Sequence, residues 1–144
     1  MKKEICATLA EIEKQHNVKF STPANPDPEL GFPSPDSDYD VRYLYIRPVE
    51  SYLRLFPERD VIEGPIDEVK DFVGWDLQKA LKLLMKGNAP LIEWLHSPIV
   101  YRDNPWLKEN LIKLFNDNCN FDALYRGYFG LAMNTFKLTS PEKV

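Results

Sequence analysis

From Tyr39 to Ile46 the chain runs Tyr-Asp-Val-Arg-Tyr-Leu-Tyr-Ile, eight residues dominated by β-branched and aromatic side chains and closed by Arg47-Pro48. Such a run reads as a strand, because a pleated, half-buried surface suits these residues and proline cannot continue the ladder. Just upstream lies Ser34-Pro-Asp-Ser-Asp38, so Asp36, Asp38 and Asp40 stand two apart at the strand's mouth. Strand side chains alternate between faces, which puts Asp38, Asp40 and Arg42 on one face and Tyr39, Val41, Tyr43 and Tyr45 on the other. Carboxylates sharing a face could hold a hard divalent cation. The plainer alternative is that Asp36, Ser37 and Asp38 are turn formers ahead of the strand.

Asp36-Ser-Asp-Tyr-Asp40 has the opening of a calcium loop, but the position that needs glycine is Val41 and the closing glutamate position is Arg47. Two-metal phosphoryl transfer suits the pattern better, since magnesium takes one or two carboxylates and fills its shell with water and substrate phosphates. That chemistry needs a further acidic group from another strand. Asp71, in the alternating stretch Glu68-Val-Lys-Asp-Phe-Val73, is the first candidate and Asp76 the second; a solvated strand residue is the alternative for Asp71. Lys79, Lys82 and Lys86 fall on one helical stripe and could neutralise a triphosphate, although a solvated face is the commoner meaning of such spacing.

The remaining composition bounds the answer. At 144 residues with 44% hydrophobic and 12% aromatic content, the chain can bury a real core in about one compact domain. No run approaches the ~20 apolar residues of a membrane span, and Met1-Lys-Lys-Glu4 does not lead into a signal peptide's apolar centre, so a cytoplasmic protein is expected. Cys6 and Cys119 are far apart and lack a second ligand pair, which indicates neither a disulfide framework nor zinc. A net charge of -4 argues against a broad nucleic-acid footprint while leaving room for a local basic groove. His16 and His96 accompany no serine or cysteine motif, and the six glycines are too scattered for a phosphate loop.

In chain order, residues 3 to about 17 show helical spacing through Ile5, Leu9 and Ile12, and Val18 to Ser21 reads as a short strand. Pro23, Pro26, Pro28, Pro33 and Pro35 then make a stiff connection that is expected to hold no regular structure. A short helix follows from Val49 to Leu55, a strand within Arg59 to Glu63, and another over Glu68 to Val73 ending at Gly74. Asp76 to Lys86 is the clearest helix, with Asp76 as N-cap and Gly87-Asn88 as its stop. Further helices are expected near Pro90 through Leu95, from Asn104-Pro105 to about Asn116, and from Phe121 to Phe136. Early alternation followed by successive helices predicts an α+β fold, a small mixed β-sheet flanked by helices with a helical C-terminal end.

Four blocks, Gly31 to Ile46, Gly74-Trp-Asp-Leu-Gln-Lys-Ala-Leu81, Leu84-Met-Lys-Gly-Asn88 and Leu91-Ile-Glu-Trp-Leu-His-Ser-Pro98, occur in order. Together they resemble the nucleotidyltransferases of the DNA polymerase beta superfamily, in the branch associated with RNA repair (RlaP-like). The resemblance implies a nucleotidyltransferase domain over residues 1–103 with a helical extension over 104–144, shorter than the helical region with which family members continue. It implies that Asp38 and Asp40 bind two Mg2+ or Mn2+ ions with Asp71 as third carboxylate, and that Ser37, Arg42, Lys79, Lys82 and Lys86 contact phosphate. The implied reaction moves a nucleoside monophosphate from a nucleoside triphosphate to an RNA end or another macromolecular hydroxyl, releasing pyrophosphate.

The superfamily's Gly-Ser pair, separated from the paired aspartates by ten residues, is replaced by Pro26-Asp27. Proline has no amide for a phosphate and Asp27 repels one. A second reading therefore stands beside the first: a nucleotidyltransferase-fold binding protein of weakened or absent activity, serving as a regulator, an antitoxin-like partner or half of a split enzyme. Tyr125, Tyr128, Phe129 and Phe136 on the last helix would face such a protein partner or a second copy, or would pack onto the domain itself.

Overall fold

The computed structural model describes residues 2–20, 24–25, 39–64, 70–97, 99–101 and 104–139. Its central element is the strand β3 (Tyr39–Ile46), at the position its composition predicts. On one edge β3 pairs antiparallel with β1 (Lys19–Phe20) and β2 (Ala24–Asn25) in succession. On the other it pairs in parallel with β5 (Lys70–Asp76), which in turn pairs antiparallel with β4 (Val61–Glu63). A short strand, β6 (Ile99–Val100), joins β2 from outside, giving the order β4-β5-β3-β2-β6. The sheet is thus mixed and the fold α+β.

Each face of the sheet carries its own core. Val41, Tyr43 and Tyr45 of β3, with Phe72 and Ile62, pack against Ile5, Leu9 and Ile12 of α1 (Lys2–His16), all buried. This is the alternation expected of β3, and α1 turns its apolar stripe to the sheet. The opposite face presents Leu44 to Ala80 and Leu84 of α3 (Leu77–Met85), Leu91 and Leu95 of α4 (Ala89–His96), and Leu107, Leu111 and Phe115 of α5 (Pro105–Asn118). Trp75 of β5 lies against Trp94 of α4 with ring centroids 3.9 Å apart, so the aromatic pair ties that helix to the sheet.

Local chemistry sets most helix boundaries. Asp76, Asn88 and Asn104 each accept a backbone N–H from the first turn of the helix they precede, at 2.8, 3.1 and 3.2 Å. Gly87 stops α3 in a left-handed conformation at φ +70, where an added methyl would also strike the carbonyl of Asn120. The last helix, α6 (Phe121–Thr139), leaves Tyr125, Phe129, Leu131 and Phe136 well exposed. Among the described residues no helix is long and apolar enough to cross a membrane.

Several expectations change. The proline-rich connection was expected to hold no regular structure, yet β2 lies within it, fitted into the two positions between Pro23 and Pro26 that still have amides to share. β5 does not end at Gly74 but continues to Asp76; Gly74 is interior because the ring of Tyr43 on β3 fills the space a side chain would need. β6 was not anticipated, and the helix expected over Val49 to Leu55 is shorter, α2 (Val49–Tyr52).

Candidate active site

The parallel register aligns Tyr39 with Lys70, Asp40 with Asp71, Arg42 with Val73 and Leu44 with Trp75. Adjacent strands lie about 5 Å apart, so Asp40 and Asp71 are direct neighbours at the N-terminal ends of both strands. Leu44 and Trp75 on the same face are covered by the α3–α5 layer. Asp40 and Asp71 lie two pleats short of that cover, and their side chains remain 35% and 43% exposed.

Arg42 lies between them. One guanidinium nitrogen, Nη1, donates to Asp71 Oδ2 at 2.9 Å, and Nη2 is 3.4 Å from Asp40 Oδ1. A single cation thus bridges two carboxylates from neighbouring strands, with its own side chain only 18% exposed. On the opposite face of β5, Lys70 reaches Glu4 of α1 at 3.6 Å, which anchors the start of the strand.

The other predicted residues are distributed as follows. Asp38 and Ser37 lie outside the described residues, as do Pro26 and Asp27. Lys79 is in the first turn of α3, beyond the C-terminal end of β5, whereas Asp71 is near the N-terminal end of that strand. There its ammonium sits 3.1 Å from both oxygens of Asp60. Lys82 is exposed, and Lys86 borders a cavity of about 440 Å3 between α4 and α6, with Glu93 and Tyr128. The structure therefore brings together Asp40, Asp71 and Arg42, and leaves the lysine stripe elsewhere on the surface.

Asp76, the second candidate for a third carboxylate, is 3% exposed and fully engaged. Besides capping α3 it accepts a hydrogen bond from the Tyr52 hydroxyl at 2.9 Å, and that oxygen accepts the Arg47 N–H at 3.0 Å. Arg42, expected among the phosphate contacts, bridges Asp40 and Asp71 in the structure, a contact not anticipated from sequence. The signal was present in the two-residue step from Asp40 to Arg42, but the register that brings up Asp71 has no local signature.

Partly exposed carboxylate oxygens from adjacent strands are of the hard donor type that magnesium or manganese prefers. Among the described residues no group of three or more His, Cys, Asp and Glu side chains gathers at one point.

An α+β protein with an arginine-bridged carboxylate pair at its sheet end is the class that fold and site define. The sequence model of the RNA repair pathway DNA polymerase beta family (RlaP) matches residues 1–144, and the chain belongs to that family. It is 41% identical over 138 residues to Uncharacterized protein YcgL of Bacillus subtilis (strain 168), covering 95% of this chain and 53% of that protein. The chain thus spans about half the length of that curated relative. No solved structure matches.

Proposed function

We propose that the protein is a divalent-metal-dependent nucleotidyltransferase that moves a nucleoside monophosphate from a nucleoside triphosphate onto an RNA end or another macromolecular hydroxyl. The observation that carries this reading is Asp40 in register with Asp71, both joined to Arg42, in a chain of the RNA repair pathway DNA polymerase beta family. In this reading Asp38, Asp40 and Asp71 hold Mg2+ or Mn2+, residues 1–103 form the nucleotidyltransferase domain and 104–144 its helical extension.

Bound metal would neutralise charge on the phosphates and make the acceptor hydroxyl more acidic. The chain's own contribution is positioning. The parallel ladder fixes the separation of Asp40 and Asp71, and their partial exposure leaves the triphosphate an open approach. Arg42, already on that face, supplies a planar pair of donors matched to phosphate oxygens.

The test is incubation with each labelled nucleoside triphosphate, magnesium or manganese, and a pool of RNA. Label is expected in the RNA, and Asp40→Asn or Asp71→Asn should lower the rate by at least the ~10–100-fold that loss of a metal's supporting group costs. Absence of transfer under every combination sinks the enzyme reading. The second reading draws on Pro26-Asp27 in place of the Gly-Ser pair; no incorporation of label, together with a defined protein partner that co-purifies from the native host, would favour it.

A further inference from the structure

We infer that α6 is the surface through which two copies of this chain associate, the two helices pairing antiparallel about a twofold axis that passes between Gly130 and Leu131. The inference stands independently of the nucleotidyltransferase reading.

Tyr125, Phe129, Ala132 and Phe136 follow one another at steps of four, three and four residues, the spacing of a seam between two helices. All four are exposed. The rings of Tyr125 and Phe129 already stack, with centroids 6.1 Å apart and planes at 18°, so they form one continuous apolar strip. The helix is held to the domain from its other side, where Leu124 packs against the core of α3, α4 and α5 and the Tyr128 hydroxyl donates to Glu93 of α4 at 3.2 Å. The contacts that fix α6 therefore turn its seam outward.

The seam is complementary to itself in one orientation. With two α6 helices antiparallel, Phe129 meets Ala132 of the second copy and Tyr125 meets Phe136 of the second copy, so a ring covers a methyl at the centre and ring meets ring at each end. Asp122 then falls beside Lys137 of the second copy, at both ends of the pair, and the helix dipoles oppose one another. A parallel pairing would set Ala132 against Ala132, leaving a gap, and would bring Asp122, Arg126 and Lys137 each against its own like charge. The area is of the right size as well. Phe121, Tyr125, Phe129, Met133 and Phe136 are between 41% and 69% exposed. At about 200 Å2 for a large side chain this offers roughly 550 Å2 of apolar surface per chain, to which a polar rim adds toward the ~800 Å2 per partner of a stable interface.

The measurement is sedimentation equilibrium of the full chain over a range of concentrations. Wild type is expected to dimerise with a dissociation constant on the order of micromolar. Phe129→Asp should raise that constant at least ~30-fold, the scale of a central interface ring, while keeping the wild-type circular dichroism spectrum because the ring is exposed in the single chain. Asp122→Lys and Lys137→Asp should each raise it roughly three- to tenfold, since each puts like charges together at both ends of the pair. The double exchange, Asp122→Lys with Lys137→Asp, should return it to within about twofold of wild type, and it carries the test if Phe129→Asp does not fold.

A wild type that stays monomeric up to about 0.5 mM overturns the inference. So does a dimer that Phe129→Asp leaves intact, which would lie on another surface. If the single charge changes weaken the dimer and the exchange does not restore it, the antiparallel pairing is overturned. A monomeric wild type that binds a different protein, with Phe129→Asp abolishing that binding, would give the face to that protein and overturn the inference likewise.

Discussion

Tyr43 and Tyr45 show how a single residue ties stability to pH. Both rings are fully buried under α1, and their hydroxyls donate to the carbonyls of Ile62 and Arg59 at 3.2 and 3.3 Å. Burial pushes the Tyr45 hydroxyl up to about 12, partly opposed by the Arg47 guanidinium over its ring, and burial pushes Tyr43 up as well, helped by Tyr45. The neutral phenols are favoured in the folded state, so their contribution is complete below the ordinary tyrosine value near 10. It is lost as pH rises from about 10 through the folded values. Melting temperature should hold steady up to about pH 9.5 and fall between 10 and 12. Tyr45→Phe should flatten that decline, and an unchanged slope would show that some other group governs it.

At the scale of elements, the junction between β5 and α3 contains no loop at all, because Asp76 ends one and caps the other. Its carboxylate serves Gln78 N–H and the Tyr52 hydroxyl at once. Asp76→Ala should cost about 2 kcal/mol in denaturant unfolding, a lost cap plus a stranded hydroxyl, and Asp76→Asn distinctly less because it still caps. Equal losses in the two variants would assign the effect to charge instead. The same comparison shows what the sequence discloses. Helix starts at Asp76, Asn88 and Asn104 are legible because a cap is settled within four residues. β2 and β6 are not legible, since two-residue strands exist only through partners distant in the chain, and the run of β5 past Gly74 depends on a ring contributed by β3.

In the whole molecule β3 is the wall between two cores, with Tyr43 and Tyr45 on one side and Leu44 on the other. Leu44→Ala should cost about 2–5 kcal/mol as a buried cavity. It should lower the midpoints seen by tryptophan fluorescence, which reports the Trp75 and Trp94 side, and by far-UV circular dichroism to the same extent. Separate midpoints would mean that the two layers unfold independently. The α+β class is readable from the order of helical and strand patterns, and the face that Asp40 and Arg42 share on β3 from a period of two. The neighbourhood of Asp71 is not, because a parallel register is set by packing across the sheet and not by any turn.

That register has a consequence for when the site comes into being. Arg42 and Asp71 are 29 residues apart in sequence and meet only through the β3–β5 ladder. Pairings of such sequence separation are slow to form, since the intervening chain must be closed before any contact rewards it. On a ribosome, a chain that has released β3 but not β5 carries an arginine and an aspartate without the second carboxylate. The carboxylate pair therefore comes into being only with completed folding, and under the nucleotidyltransferase proposal a nascent chain that has not yet paired β5 would lack the site.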